Sequence, residues 1–165
     1  MIQKKVCMLG ALAVGKTSLV KRFVESVFSE KYHTTLGVKV DKKTIQVASQ
    51  EVMLMLWDME GEDDYNSIRM TYLRGASGYL LVADRTRRET LTVALHLKER
   101  VEKAMGPMPF LLLVNKDDLV TRSELREEDL ELCRGRGWNV VSTSAKTGNN
   151  VAEAFHDLAR CMIAS

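Results

Sequence analysis

Short apolar runs alternate with amphipathic, helix-like segments along almost the whole of this 165-residue chain. The clearest runs cover residues 6–9, 52–57, 79–83, 110–114 and 138–141. Their apolar side chains mostly follow one another directly, which is typical of strands that are buried on both faces. Strands that alternate with helices favour parallel pairing. The sequence therefore predicts an α/β fold with a three-layer, doubly wound and mostly parallel sheet.

A further strand is predicted at the edge of this sheet, because Val38, Val40, Ile45 and Val47 lie among polar residues. Four helices are predicted at residues 16–25, 91–105, 123–133 and 151–162. The last has the clearest helical repeat of apolar residues, whereas the apolar stripe of the second is interrupted at Lys98.

The composition suits one domain that spans residues 1–165, with 45% hydrophobic and 28% charged residues. The net charge of +2 is too small to indicate nucleic-acid binding. The densest basic stretch contains Arg85, Arg87 and Arg88. It is predicted to be a solvated loop.

The three cysteines are widely spaced and odd in number, which favours reduced thiols and a cytoplasmic protein. No apolar run reaches the ~18 residues of a transmembrane helix. No lipid anchor is expected in this chain, because Ile2 excludes myristoylation and Cys161 is not fourth from the end. We expect a monomer.

The first strand is followed by GALAVGKTS at residues 10–18, which contains the pattern G-x-x-x-x-G-K-T. Glycines let backbone N–H groups turn inward around phosphate oxygens, and the N-terminus of the next helix favours the same anion. Lys16 would reach the β- and γ-phosphates, and the Thr17 hydroxyl would hold Mg²⁺. The predicted phosphate-binding residues are Ala13, Val14, Gly15, Lys16, Thr17 and Ser18.

Asn115, Lys116 and Asp118 form the pattern N-K-x-D after the strand at 110–114. A carboxylate there can accept hydrogen bonds from both N1–H and the 2-amino group of guanine. Adenine has no matching pair of donors and would leave a buried acceptor unpaired. A second triplet, predicted to lie beside the same base, follows the last strand: Ser144, Ala145 and Lys146.

The strand at 52–57 runs into WDMEGEDDY, in which five carboxylates surround one glycine. The segment is either a solvated turn or part of a metal site. The spacing D-x-x-G after a strand favours the second interpretation when the other motifs are considered. Asp58 would reach Mg²⁺ through water, and Gly61 would offer its N–H to a γ-phosphate.

The order of these motifs resembles that of the Ras superfamily of small GTPases, over essentially the full length of the chain. YLRGASGYLLVADRT and TSAKTGNNVAEAF look most like the Rab and Ras branches. The resemblance implies a phosphate-loop GTPase domain with six strands and about five helices. It also implies a GTP/GDP switch, Mg²⁺-dependent hydrolysis, and protein effectors and regulators that contact residues near 30–40 and 59–75.

The resemblance assigns further residues. Phe28 would pack against the guanine, with a core residue at the end of a helix as the alternative, and Tyr32 would cover the phosphates. Thr35, with Thr34 as the neighbouring alternative, would ligate Mg²⁺ only when GTP is bound. The implied catalytic residues are Lys16, Thr35, Gly61 and Glu62; the implied metal ligands are Thr17, Thr35 and Asp58.

The chain departs from the family at DMEGE, residues 58–62, where D-T-A-G-Q is usual. A glutamine can accept from the attacking water and donate to the phosphoryl group, whereas an ionised Glu62 can only accept. Glu60 adds a second negative charge. Three interpretations remain: both glutamates point into solvent, both depress hydrolysis and loosen GTP, or Glu62 acts as a general base.

Leu12 is a further departure, because Ras proteins carry glycine at this position of the phosphate loop. Its side chain could block the glutamine equivalent or an arginine finger. The leading interpretation is a switch whose hydrolysis is slow or helper-dependent. The alternative is a non-cycling, guanine-nucleotide-bound interaction module. A phosphate-loop kinase is disfavoured, because the base motifs specify guanine.

Overall fold

Among the described residues, the sheet has six strands in the order β2-β3-β1-β4-β5-β6. This computed structural model describes residues 1–29, 37–59 and 70–164. The strands are β1 (Ile2–Gly10), β2 (Val38–Val47), β3 (Gln50–Met59), β4 (Gly78–Asp84), β5 (Phe110–Asn115) and β6 (Val140–Ser142). Neighbouring strands are parallel except for β2 and β3, which form an antiparallel hairpin. The predicted doubly wound, mostly parallel sheet is confirmed.

Four α-helices connect the strands in the described part of the chain. They are α1 (Lys16–Glu25), α2 (Glu89–Met105), α3 (Glu127–Gly135) and α4 (Val151–Ala164). Two short 3-10 helices lie at Met70–Leu73 and Asp117–Arg122. No helix within residues 1–29, 37–59 and 70–164 is both long enough and apolar enough to cross a membrane.

Two predicted elements begin later than expected. The helix predicted from Ser123 begins at Glu127, because Ser123 is extended and its hydroxyl donates to the Leu125 carbonyl. The strand predicted from Trp138 begins at Val140. Trp138 follows Gly137, whose positive φ of 84° breaks the extended run.

The burial of the strands follows their place in the sheet. All seven residues of β4 are buried, as expected for a central strand covered on both faces. In β2 only Ile45 and Val47 are buried, and Val40 is 43% exposed. The predicted edge position of β2 is therefore confirmed.

A hydrophobic core lies on each face of the sheet. On one face, α1 and α4 meet where the Phe23 and Phe155 rings stack with centroids 4.1 Å apart. On the other, α2 and α3 cover a second cluster that includes Leu97 and Leu130. Lys98, which interrupts the apolar stripe of α2, is nevertheless mostly buried, and its ammonium lies 5.1 Å from the ring centroid of Phe110.

The carboxyl ends of the strands meet at one edge of the sheet. Met8 pairs with Asp58, and Asp84 pairs with Asn115. The loops that follow β1, β3, β4, β5 and β6 therefore start side by side. In parallel sheets this edge is where ligands bind.

Candidate functional site

The loop between β1 and α1 requires glycine at both ends. A Cβ on Gly10 would lie 2.4 Å from the Val82 carbonyl oxygen, and one on Gly15 would lie 2.2 Å from Asn115 Nδ2. Gly15 also has a φ of 106°, which side-chain-bearing residues rarely adopt. The spacing of the two glycines thus follows from close contacts with the ends of β4 and β5.

Side chains outside the loop hold three of its consecutive carbonyl oxygens. Leu12 O accepts from Arg87 Nη2 (2.7 Å), Ala13 O from Lys116 Nζ (3.2 Å), and Val14 O from Asn115 Nδ2 (3.0 Å). Because a trans peptide is planar, a carbonyl fixed on one side directs the following N–H to the other. The N–H groups so directed belong to Ala13, Val14 and Gly15, which are three of the predicted phosphate-binding residues.

Lys16 and Ser18 lie in the first turn of α1, directly after this loop. The Lys16 side chain is 5% exposed, and its ammonium donates to the carbonyls of Gly10 (2.9 Å) and Ala11 (3.2 Å). The buried ammonium adds positive charge at a helix N-terminus that already favours anions. The loop can therefore bind a polyphosphate.

Thr17 and Asp58 come together from different elements. The Thr17 hydroxyl, in the first turn of α1, donates a 2.6 Å hydrogen bond to Asp58 Oδ2, near the end of β3. Asp58 is 1% exposed. A hydroxyl beside a buried carboxylate fits Mg²⁺, which binds oxygen ligands from one or two carboxylates and from phosphates. The two side chains could thus hold the metal ion that accompanies the phosphates of a bound nucleotide.

The two motifs predicted to bind a base form a single hydrogen-bonded unit. Asn115 Oδ1 accepts from Thr143 Oγ1 (3.1 Å) and from the Ala145 N–H (3.3 Å). The Ser144 hydroxyl donates to Asp118 Oδ1 at 2.7 Å. The Asp118 carboxylate is thereby held in place, with its other oxygen able to accept from a base.

Arg22 of α1 supports the last of these loops. Its guanidinium donates to the carbonyls of Ala145 (2.8 Å) and Lys146 (2.5 Å). The helix that starts at the phosphate loop therefore also anchors the loop that follows β6. No sequence motif marks Arg22, since a single arginine on a helix carries no pattern of its own.

Comparison with known proteins decides the family. A model of the Ras family matches residues 5–164. The chain belongs to the Ras family. It is also similar to the Ras-related protein Rab-13 of Canis lupus familiaris, with 35% identity over 158 residues that cover 94% of this chain and 78% of that relative. As a Ras-family member, it is a small GTP-binding protein. Proteins of this family are GTP hydrolases as a class.

The Ras-family chain has a third group of site residues that motifs did not reveal. The prediction that Arg85, Arg87 and Arg88 form a solvated loop holds for Arg88, whose side chain is 56% exposed, but is wrong for Arg85, whose side chain is only 11% exposed. Each arginine pairs with a carboxylate: Arg85 with Asp117 (3.3 Å), Arg87 with Asp84 (3.1 Å) and Arg88 with Asp129 (2.7 Å). They directly follow the buried strand β4 at the carboxyl edge of the sheet, and that position was the only signal in the sequence.

Asp84, the last residue of β4, carries a fully buried carboxylate directly before these arginines. It accepts from Thr86, from Arg87 and from Lys116, whose ammonium lies 2.8 Å away. Burial alone would raise the pKa of the Asp84 carboxyl. Hydrogen bonds from Lys116 and Thr86, together with the charge of Lys116, nevertheless hold its pKa below its usual value.

Several predicted residues of the Ras-family site lie outside the described residues: Tyr32, Thr34, Thr35, Glu60, Gly61 and Glu62. Phe28 is described. It is half-buried and packs against the core beneath α1 and α4. Its stacking on a guanine stays a prediction.

Within the described ranges no group of three His, Cys, Asp or Glu side chains could hold a metal ion. The three cysteines, which are all described, form no disulfide.

Proposed function

We propose that this Ras-family protein is a GTP/GDP conformational switch whose Mg²⁺-dependent hydrolysis is slow or needs a helper protein. The observation that carries the proposal is the 2.6 Å hydrogen bond between Thr17 and Asp58. It joins the phosphate loop to the end of β3, only two residues before Glu60. A metal and γ-phosphate bound here would act directly on the chain that leaves β3.

The contacts of Asp118 support guanine as the base. Ser144 fixes one carboxylate oxygen of Asp118. The carboxylate can accept from both N1–H and the 2-amino group of guanine, whereas adenine offers no such pair. We propose Ala13 to Ser18, Phe28, Asn115, Lys116, Asp118 and the triplet 144–146 as the nucleotide-binding residues.

The identity of Glu62 supports slow hydrolysis. An ionised glutamate accepts a hydrogen bond from the attacking water but cannot donate one to the phosphoryl group. Two like charges ~4 Å apart repel by about 4 kcal/mol at an effective dielectric constant of about 20. Glu60 and Glu62 would therefore oppose the approach of the anionic γ-phosphate unless they rotate into solvent.

The same two glutamates favour the second candidate, a non-cycling interaction module that keeps its guanine nucleotide bound. In both cases, protein partners are proposed to contact residues near 30–40 and 59–75. Val40 lies on the edge strand β2 and is 43% exposed, so it provides apolar surface that a partner could contact.

Single-turnover GTP hydrolysis with Mg²⁺ tests the proposal. The wild type is compared with the double variant Glu60→Ala, Glu62→Gln, and with Glu128→Gln on α3 as a matched surface control. We expect slow turnover in the wild type and in the control, and turnover at least about 10-fold faster in the double variant, which is a barrier change of about 1.4 kcal/mol.

The bound nucleotide is identified before and after the reaction. No turnover in any variant, with guanine nucleotide retained, would favour the non-cycling module. A protein that retains no guanine nucleotide in any form would contradict both candidates.

A further inference from the structure

The segment at the end of β4, residues 84–88, contacts both ends of the proposed nucleotide site. We infer that Arg85 and Arg87 are positioning residues: Arg85 holds the base loop, residues 116–122 after β5, and Arg87 holds the phosphate loop, residues 10–15. The inference rests on the guanine-nucleotide binding proposed above. Neither arginine belongs to a motif by which the sequence indicated nucleotide binding.

The Arg85 guanidinium contacts both ends of the 3-10 helix that carries Asp118. Its side chain is 11% exposed. Nη2 lies 3.3 Å from Asp117 Oδ1, at the start of the helix, and Nη1 donates to the Ser123 hydroxyl, just after its end (3.3 Å). Nη2 also donates to the Ser142 hydroxyl in β6 (3.3 Å). One guanidinium thus links the base loop to the strand that leads to Ser144.

The base loop needs such a support because its own structure is irregular. Lys116 has a left-handed φ of 71°, and Leu119 departs from helical geometry with φ −104° and ψ 32°. A 3-10 helix of six residues has poor hydrogen-bond geometry and little stability of its own. Contacts from outside therefore determine where Asp118 lies. A small displacement of Asp118 would weaken its hydrogen bonds to a base.

The main chain of Arg85 is fixed independently of its side chain. Its N–H donates to the Asn115 carbonyl (3.1 Å), and its carbonyl accepts from the N–H groups of Glu124 (2.9 Å) and Leu125 (3.3 Å). A substitution at residue 85 keeps these bonds. It therefore removes the guanidinium without removing the backbone connection between β4, β5 and the base loop.

Arg87 acts at the other end of the site. Nη2 donates to the Leu12 carbonyl at 2.7 Å, and Nε bonds to the buried Asp84 carboxylate at 3.1 Å. The fixed Leu12 carbonyl directs the Ala13 N–H to the opposite side, where phosphate oxygens would bind. Ala13 has a left-handed φ of 63°, which is unfavourable for a residue with a side chain. The bond from Arg87 stabilises the loop in this conformation.

The two arginines have separate hydrogen-bond partners in the described part of the chain. Arg85 bonds to the segments around the base loop, and Arg87 bonds to Asp84 and the phosphate loop. Without the Arg87 guanidinium, Asp84 would still be held by Lys116 and Thr86, so the link from Asp84 to the base loop would remain. We therefore expect replacement of Arg85 to affect recognition of the base, and replacement of Arg87 to affect recognition of the phosphates.

The test uses purified full-length protein and three nucleotides with Mg²⁺. IDP lacks the 2-amino group of GDP, and GMP lacks its β-phosphate. For Arg85→Met we expect the preference for GDP over IDP to fall about 5-fold, with the preference for GDP over GMP unchanged. For Arg87→Met we expect the preference for GDP over GMP to fall about 10-fold, with the preference for GDP over IDP unchanged.

Three further variants sharpen the test. Arg126→Met removes an arginine that is 73% exposed and pairs with Glu128 on the surface, so it should change neither preference. Arg87→Lys keeps a cation that can reach a single acceptor, so it should restore part of the GDP-over-GMP preference. Arg85→Lys serves in the same way if Arg85→Met does not fold.

Equal weakening of all three nucleotides in both methionine variants would overturn the inference, because the arginines would then only stabilise the fold. Unchanged preferences in both variants, with tight GDP binding by the wild type, would overturn it as well and leave the proposed function intact. A wild-type protein that binds no guanine nucleotide would instead overturn the proposed function and the inference with it.

Discussion

The Lys116 ammonium lies 2.8 Å from Asp84 Oδ2, and the Asp84 side chain is 1% exposed. This ion pair joins the end of β4 to the motif that follows β5. Because Lys116 also donates to the Ala13 carbonyl, one buried carboxylate supports both the base motif and the phosphate loop. Asp84 therefore stabilises two segments of the proposed nucleotide site.

We expect Asp84→Asn to lower the free energy of unfolding by about 2 kcal/mol at pH 7. Removing one partner of a buried pair typically costs about 3–5 kcal/mol, and the value is reduced here because water reaches Lys116. Urea unfolding measures the change. Asp41→Asn is the matched control, since Asp41 pairs with the exposed Lys39 at 3.8 Å and should matter little.

The effect of Asp84 should depend on pH in a definite direction. Its pKa in the folded protein is lowered, so its contribution is fully present above the pKa of the unfolded chain, about 3.9. The contribution is lost as the pH falls through the lower, folded pKa. The difference in unfolding free energy between wild type and Asp84→Asn should thus shrink below about pH 4. A difference that stays constant from pH 7 to pH 3 would contradict this.

Gly15→Ala should abolish guanine-nucleotide binding or weaken it at least about 100-fold, because the new methyl group would overlap Asn115 Nδ2 and displace the phosphate loop. Titration with a fluorescent GDP analogue measures the loss. Gly75→Ala is the control: Gly75 has a positive φ of 79°, but a Cβ there would meet no atom within 4 Å. Normal binding by Gly15→Ala would show that the loop tolerates a side chain at this place.

Phe155→Ala should destabilise the protein by about 3–5 kcal/mol, because it leaves a cavity beneath α1 and α4. The Phe155 side chain is 1% exposed and stacks on Phe23. Phe155→Leu keeps most of the volume and should cost about 1.5 kcal/mol or less. Thermal or urea unfolding of both variants shows which one loses more stability. Equal losses of unfolding free energy would argue against tight packing at this contact.

Iodoacetamide at pH 8 should modify Cys161 well before the other two cysteines in the folded protein. Burial raises the pKa of the Cys7 thiol to about 12 and also raises the pKa of Cys133, so neither forms the reactive thiolate readily. Cys161 is exposed. Peptide mass spectrometry locates the modification, and all three should react in denaturant. Rapid labelling of Cys7 under native conditions would mean that β1 opens locally.

The elements with strong local patterns agree well with their predictions. Helix α1 has the predicted bounds, and α4 extends the predicted helix by two residues at its end. The errors fall where a long-range contact replaces the local pattern. Trp138 looks like a strand residue, but its ring packs edge-on against Phe110, outside β6. Ser123 looks like a helix start, but its hydroxyl and its neighbour Glu124 bond to Arg85.

Within the proposed site, the sequence indicated the residues for which a motif combines residue type with spacing. The glycines at 10 and 15 follow such a rule, because each avoids a specific close contact. Arg85 and Arg87 follow none, since a run of arginines is usually solvated. Their role became visible only when the acceptors around them, including Asp117 and the Leu12 carbonyl, were located.

The sequence by itself determined the order of strands and helices, the phosphate loop and the identity of the base motifs. These depend on neighbouring residues, whose periodicity and spacing act within one or two turns of chain. Only the tertiary structure decided which distant side chains meet. Ser144 bonds to Asp118 across 26 residues, and Arg87 bonds to Leu12 across 75. Such pairs arise because parallel strands bring their carboxyl ends to one edge, and the chain between them leaves no local trace of the contact.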